Sequence, residues 1–326
     1  MDSCLVSIAV LSYNSEKTII QTLDSIKNQS YKNIDLLIND DASKDNSVEV
    51  IRTWLEENEK SFHAVKLFTH QENQGINKSF DYIVKKCTTK WVKPIAGDDI
   101  LFENCIELNM QYVCDNSVET IVYSSLIPFS YNDGEMKLLK KDYYENWYSR
   151  KLDKMTAKKQ YKKLLKRDIN FSPTVFLNVE SYCKKGGIDL EIKNIEDWPL
   201  RLMYVSSGDK IHYYDVDTVY YRIGSSISRT SKKLYNERHL QQTIFAKKRI
   251  IYPNISKIHI VYYMTEYLER FRYFVIIKVF KNKDNLFVKM VNLIMKLFEL
   301  GKWPERIHKF IMKVFKVGKK YEIQNN

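Results

Sequence analysis

A repeating alternation constrains this chain more than any other feature. Between residues 5 and 125, short apolar, β-branched runs alternate with stretches of helical spacing, and each run ends in a polar cluster. Leu5 to Leu11 is the first run, closed by Ser12-Tyr13-Asn14, and Ile19, Ile20, Leu23 and Ile26 follow at helical intervals. Ile34 to Ile38 ends in Asn39-Asp40-Asp41, and Asp45 is placed to cap a helix bearing Val48, Ile51, Trp54 and Leu55. Val65 to Phe68, the turn Asn73-Gln74-Gly75 and a helix over Asn77 to Lys86 form the next unit. Trp91 to Ala96 then runs into Gly97-Asp98-Asp99, with a helix expected over Leu101 to Cys114 and a fifth strand over Thr120 to Ser124. Strands alternating with helices predict an α/β fold with a Rossmann-like, mostly parallel sheet flanked by helices. Ligands of such sheets bind beyond the carboxyl ends of the strands, which is where the polar clusters fall.

Asp98-Asp99 is the most informative cluster. Mg²⁺ and Mn²⁺ take hard oxygen ligands and are commonly held by one or two carboxylates, with substrate phosphates completing the shell. Taken alone, the pair also fits an acidic turn that ends a strand. The chain has neither a GxGxxG nor a Walker A motif, which disfavours dinucleotide-binding and P-loop versions of the same alternation.

In order and spacing, LSYN, NDDAS, NQG and GDD resemble the family 2 glycosyltransferases of GT-A fold. The resemblance covers residues 5 to 125 and a second block from about 171 to 228. It implies a nucleotide-diphosphate sugar donor, with Ser12, Tyr13, Asn14 and Gly75 at the nucleotide-sugar pocket. It also implies that Asp41 accepts a hydrogen bond from the base with Asp40 beside it, and that Asp98 ligates a divalent metal, Mn²⁺ or Mg²⁺. Asp99 would support that metal or the donor sugar. The family's acidic motif often reads Asp-x-Asp-Asp, and its first position here is Ala96.

Glu196-Asp197 precedes a helical run carrying Leu200, Leu202 and Met203, and by itself reads as N-terminal capping. By the resemblance, Asp197 is the base that takes the acceptor hydroxyl's proton, and Glu196 orients it or binds acceptor. One base and one metal on opposite sides of the sugar give a single displacement with inversion. Arg222 either contacts the diphosphate or pairs at a strand end. The His that often follows Tyr-Arg in the family is replaced by Ile223-Gly224.

Pro128 to Arg167 interrupts the alternation and interleaves Tyr143, Tyr144, Trp147, Tyr148 and Tyr161 with lysines. Residues 128–170 read either as an acceptor-side insertion or as helix covering the sheet. Phe171 to Glu180 returns to the sheet, Gly186-Gly187 turns, and Ile211 to Tyr221 reads as paired or edge strands.

The net charge of +12 is unevenly spread, because residues 231–326 hold 21 Lys+Arg against 7 Asp+Glu. This third is helical from Leu234. Lys289, Asn292, Lys296 and Glu299 trace one narrow stripe on a mostly apolar helix. Pro304 suits a helix start, with Ile307, Phe310, Ile311, Val314 and Phe315 on one face and Arg306, Lys309, Lys313 and Lys316 on the other. A basic amphipathic helix of this kind suits an anionic membrane surface, or it packs on the catalytic domain with a solvated Lys face. Five scattered cysteines fit a reducing compartment. The amino terminus lacks a basic n-region, and no run of about 18 apolar residues occurs, so neither a signal peptide nor a membrane-spanning helix is expected.

These features predict a GT-A catalytic domain over residues 1–230, followed by a basic helical region over 231–326. The function expected is an inverting glycosyltransferase using a nucleotide-diphosphate sugar, a UDP-sugar by preference. Its acceptor is expected to be lipid-linked or polysaccharide, at the cytoplasmic face of the cell membrane. The competing class is a non-enzymatic basic module that holds nucleic acid or a protein partner on an α/β scaffold. The absence of any nucleic-acid-binding motif argues against a nucleic-acid partner.

Overall fold

A computed structural model of the chain describes residues 4–132, 134–141, 143–169, 171–193, 195–223, 233–250, 253–254, 260–304, 306–307 and 310. It divides into two compact units, residues 1–141 with 148–225 and residues 142–147 with 226–326.

The first unit opens with the expected alternation: β1 (Val6–Ser12), α1 (Ile19–Lys27), β2 (Ile34–Asp40), α2 (Ser47–Asn58), β3 (Ala64–Thr69), α3 (Ile76–Lys86) and β4 (Trp91–Ala96). The strands β3, β2, β1 and β4 lie side by side and parallel. All seven residues of β2 are buried, as a central parallel strand covered on both faces requires. Register then aligns the strand ends, with Ser12 beside Asp40, Asp40 beside Thr69 and Leu11 beside Ala96. The polar clusters that follow β1, β2 and β4 therefore emerge at one edge of the sheet.

The rest of this unit is β5 (Ile100–Leu101), α4 (Cys105–Asp115), β6 (Ile121–Asn132), β7 (Glu135–Leu138), α5 (Tyr143–Asp153), α6 (Ala157–Leu164), β8 (Phe176–Asn178), α7 (Val179–Lys184), α8 (Asp197–Ser206) and β9 (Ile211–Arg222). Helix α5 straddles the division between the units. The sheet continues from β4 through β8, β6 and β9 to β5, and β7 pairs with β6. Trp91 on β4 stacks on Phe176 of β8 at 5.1 Å, closing the junction between the parallel and mixed halves.

Four local expectations are corrected. Leu101 is not helical: it pairs with Val219 of β9, as Ile100 does with Tyr220, a long-range strand partner that outweighs helical periodicity, and α4 starts only at Cys105. Asp45 is not the cap of α2, because Asn46 occupies that position. Its carboxylate instead accepts the backbone N–H groups of Ser47 at 3.1 Å and Glu16 at 3.2 Å, tying two loops together. Pro128 does not open the interruption, since β6 runs through it to Asn132, and the strand–helix alternation breaks where the chain turns back as β7. β9 is not an edge strand, for it lies between β6 and β5.

The second unit contains α9 (Glu237–Ile250), α10 (Ile260–Phe274) and α11 (Leu286–Leu297). The polar stripe read along this segment is split: Asn292 on α11 and Glu299 just beyond it are buried, Lys296 is half-buried and Lys289 is exposed, as are Leu286, Leu293 and Leu297. A buried ionic network forms the centre of this unit. Arg272 donates to Glu299 at 2.7 Å and to Asn292 at 2.8 Å, and Lys247 bridges Glu266 and Glu269 at 2.9 Å each. Burial alone would raise the Glu269 carboxyl's pKa, but Lys247 and Lys302 outweigh it and hold the group well below the usual carboxylate range. Of the basic amphipathic helix expected beyond Pro304, Lys309, Ile311, Lys313, Val314, Phe315 and Lys316 lie outside the described residues, as do Gly224 to Ser228 of the loop after Arg222.

Candidate active site

The sheet edge carries two clusters of titratable side chains. The first gathers the ends of β1, β2 and β4. Ser12 is buried and donates its hydroxyl to Asp40 at 2.8 Å. Asp40, also buried, accepts the Ser43 N–H at 2.8 Å and the Ser43 hydroxyl at 2.7 Å. Asp40 is thus turned into the loop junction and spent on holding it. Asn14 does similar work from the other side: it adopts a left-handed conformation (φ 50°), and its side-chain oxygen accepts the Lys44 N–H at 2.8 Å. Tyr13, between them, is exposed, as is Asn14. Asp41 accepts two backbone N–H groups, from Gln74 at 2.7 Å and Gly75 at 2.8 Å, and so fixes the start of α3. Each of its oxygens keeps a second lone pair for a ligand donor.

At the end of β4, Gly97 is required by close approach: a Cβ there would stand 3.0 Å from both the Ile19 Cδ1 and the Ser15 Oγ. The turn then parts the two carboxylates. Asp99 is buried and accepts the Arg222 N–H at 2.9 Å. Burial, reinforced by the neighbouring charge of Asp98, raises its pKa well above the usual carboxylate range. Asp98 is half-buried. Arg222, the last residue of β9, donates through Nε to the Asp98 carbonyl at 2.7 Å and lies 4.7 Å and 4.8 Å from the ring centres of Phe129 and Tyr131. Its guanidinium clamps the acidic turn from the far side of the sheet. Among the described residues no group of three or more His, Cys, Asp or Glu side chains is placed to hold a metal ion by itself.

The second cluster surrounds the start of α8. Asp197 accepts the Ser172 hydroxyl at 2.6 Å and the Trp198 N–H at 2.7 Å, and lies 3.2 Å from the Arg201 guanidinium one turn on. Arg201 is fully buried and grips Asp168 with two parallel bonds of 2.7 Å and 2.6 Å. Burial raises the Asp168 carboxyl to about 6, with Arg201 opposing the rise. Glu196, at the cap position of α8, is pushed up to about 7 by burial and by the charge of Asp197.

A short strut joins the clusters. Asn77, in the first turn of α3, donates to the Ile195 carbonyl at 2.9 Å and accepts the Ile195 N–H at 3.1 Å. The helix whose start Asp41 fixes therefore also fixes the backbone immediately before Glu196-Asp197. Farther along α3, Asp81 accepts the Tyr182 hydroxyl at 2.8 Å, and a Cβ on Gly187 would meet the same carboxylate at 2.2 Å.

The sequence profile of Glycosyl transferase family 2 matches residues 7–174 of the 326, spanning β1 to the turn before β8. The chain belongs to glycosyl transferase family 2. This family 2 chain is 31% identical over 118 residues to "UDP-Glc:alpha-D-GlcNAc-diphosphoundecaprenol beta-1,3-glucosyltransferase WfgD" of Escherichia coli, covering 36% of the chain and 44% of WfgD. It is 30% identical over 116 residues to an uncharacterized glycosyltransferase of Haemophilus influenzae, covering 36% and 45%. The matched segment thus spans less than half the length of these relatives. The GT-A fold expected from the motifs is borne out by solved structures. S. aureus TarS 1–349 in complex with UDP-GlcNAc superposes with a TM-score of 0.54 at 15% identity, covering 89% of this chain and 79% of that one. The mannosyltransferase PcManGT from Pyrobaculum calidifontis, in complex with GDP-Man and Mn²⁺, gives 0.53 at 16% identity, covering 76% and 64%.

Four residues of the site escape a reading of the sequence. Arg201 carries a readable signal, since it follows Asp197 by four positions on a helix and so shares its face. Asn77, Asp168 and Ser172 carry none: they meet their partners across 118, 33 and 25 residues of chain.

Proposed function

We propose that this chain is an inverting glycosyltransferase that moves a sugar from a UDP-sugar, or another nucleotide-diphosphate sugar, to a hydroxyl of a lipid-linked or polysaccharide acceptor. Residues 1–230 carry the reaction. Ser12, Tyr13, Asn14, Asp40, Asp41 and Gly75 form or brace the nucleotide pocket. Asp99 and Arg222 shape the acidic turn under the diphosphate. Asp197 is the base, and Glu196 orients it or binds acceptor.

The observation that carries the reading is the strut. Asp41 holds the start of α3, and Asn77 on that helix holds Ile195, so the donor-side and acceptor-side carboxylates belong to one rigid frame. Inversion needs that frame, because attack and departure occur on opposite faces of one carbon. The acceptor hydroxyl loses its proton to Asp197 as it attacks, and a base so placed is worth about 10²–10⁴-fold. Ser172 and Arg201 hold the Asp197 carboxylate in place.

A divalent cation fits the donor set at the acidic turn. Asp98 offers a half-buried carboxylate, whereas Asp99 is turned to the Arg222 N–H. One carboxylate completed by substrate phosphates is a common shell for Mg²⁺ or Mn²⁺. When bound, such an ion neutralises charge on the departing diphosphate. The Mn²⁺ that accompanies GDP-Man in the PcManGT complex supports the choice of ion class.

The lipid-linked acceptor is supported by the name of WfgD, and the basic region 231–326 supports a peripheral position at the cytoplasmic membrane face. No helix among the described residues is long and apolar enough to cross a membrane. The test is transfer from a panel of nucleotide sugars to polyprenyl-diphosphate glycans with Mn²⁺ present, reading the anomeric configuration of the product. Retention of configuration, or undiminished turnover in Asp197→Asn, would overturn the assignment.

A further inference from the structure

Two helices of the second unit turn apolar faces outward. On α10 every exposed position among the described residues is apolar or aromatic, including Tyr267 at 65% and Phe271 at 51% exposure. On α11, Leu286 and Leu293 are 75% and 63% exposed, and only Lys289 breaks the apolar surface. On α10 the charges lie on the opposite face, where Glu266, Glu269 and Arg272 are buried and paired with one another, with Lys247 or with Glu299 just beyond α11, and the inner face of α11 holds Val288 and Asn292. A helix that packs in water shows the reverse arrangement. Ionisable residues that face the interior of a bundle and pair there are the arrangement of helices bathed in lipid.

We infer that the outer faces of α10 and α11 insert into one leaflet of a membrane. This deepens the peripheral placement proposed above for residues 231–326 and rests on it, but it is independent of donor and mechanism. No helix among the described residues is long and apolar enough to cross a membrane, and α10 carries four charged residues within its 15, so the two helices lie within one face of the bilayer. Lipid is the occupant rather than a second copy of the chain, because residues 231–326 carry an excess of 14 positive charges over the acids. That excess repels a like surface and draws the region to anionic headgroups. The aromatic rings of Tyr263 and Tyr267 suit the headgroup boundary, and the exposed leucines suit the acyl chains beneath.

The experiment is flotation of the full chain with vesicles of phosphatidylcholine alone and with added phosphatidylglycerol. Salt is raised to about 1 M, where the screening length falls to about 3 Å and surface attraction is lost. Most of the vesicle-bound fraction is expected to survive high salt, and Tyr267→Ser with Leu293→Ser is expected to lower that salt-resistant binding at least tenfold. Tryptophan fluorescence gives a second reading. Trp303 closes the short turn Leu300–Lys302 beyond α11 and is 43% exposed. Brominated acyl chains are expected to quench a signal that Trp303→Phe removes. Binding abolished by salt, indifferent to the double variant and without quenching leaves the electrostatic attachment standing and overturns insertion. Failure to bind any vesicle overturns both. A stable oligomer that the double variant dissociates, with no vesicle binding, assigns the face to a second copy and overturns the lipid reading.

Discussion

Replacing Arg201 with Met is the sharpest test of how the second cluster works. The guanidinium is fully buried, makes two bonds to Asp168 and one of 2.9 Å to the Ile169 carbonyl, and stands 3.2 Å from Asp197. Removing one member of a buried pair leaves the other uncompensated and costs about 3–5 kcal/mol. For a unit of this size, 1 kcal/mol moves the melting temperature by about 2–4 °C, so the loss is roughly 6–20 °C. Arg201→Lys keeps the charge but not the paired geometry, and falls between. The double variant Asp168→Asn/Arg201→Met removes both charges together and is expected to melt above Arg201→Met, with a coupling of about 0.5–3 kcal/mol. Activity separates packing from positioning. Asp197 loses one of the groups that aim it, so kcat falls about 10–100-fold at temperatures where the variant is folded, while KM for the donor holds. Calorimetry and steady-state kinetics on the same preparations read both effects. An unchanged melting temperature refutes the energetic argument. A lowered one with unchanged kcat reduces Arg201 to a structural residue.

Three further outcomes follow from the same contacts. Asp98→Ala is expected to raise the Mn²⁺ concentration needed for half-maximal turnover at least tenfold while leaving the melting temperature within a few degrees, measured by metal titration and thermal unfolding. Glu196 binds its proton more tightly in the folded state, at about 7 against an ordinary 4.5. Its contribution to stability is therefore present at low pH and lost as pH rises from about 4.5 to about 7. Glu196→Gln should flatten that slope in pH-dependent unfolding and remove an inflection near 7 from the rate profile. Gly97→Ala places a methyl 3.0 Å from Ile19 and Ser15. The overpacking costs about 1–3 kcal/mol by denaturant unfolding and lowers turnover by shifting the acidic turn.

Most of the parallel half of the sheet is legible because local pattern and tertiary role agree there. Val6–Ser12, Ile34–Asp40 and Trp91–Ala96 are apolar runs that only a doubly covered sheet can bury, and their polar endings converge by register. Leu101 misleads because its strand identity comes from Val219, more than a hundred residues away. Asp168 and Ser172 are invisible for the same reason, whereas Asp197 is singled out by its motif and Arg201 is within reach of helical spacing. The polar positions read along α11 are helically spaced, but periodicity gives a helix two faces without saying which one is turned inward. The buried Arg272 and Glu299 settle that question, and they come from different helical segments.

The bond between Asn77 and Ile195 bears on how such a chain can diversify. It and the Asp41–Gly75 bond measure off the two carboxylate clusters along a few residues of one helix, without passing through β7, α5 or α6. Segments hung between β6 and β8 can lengthen, shorten or change their aromatic content while that spacing stays put. An enzyme built this way can exchange the partner it decorates without renegotiating the geometry of the bond it makes.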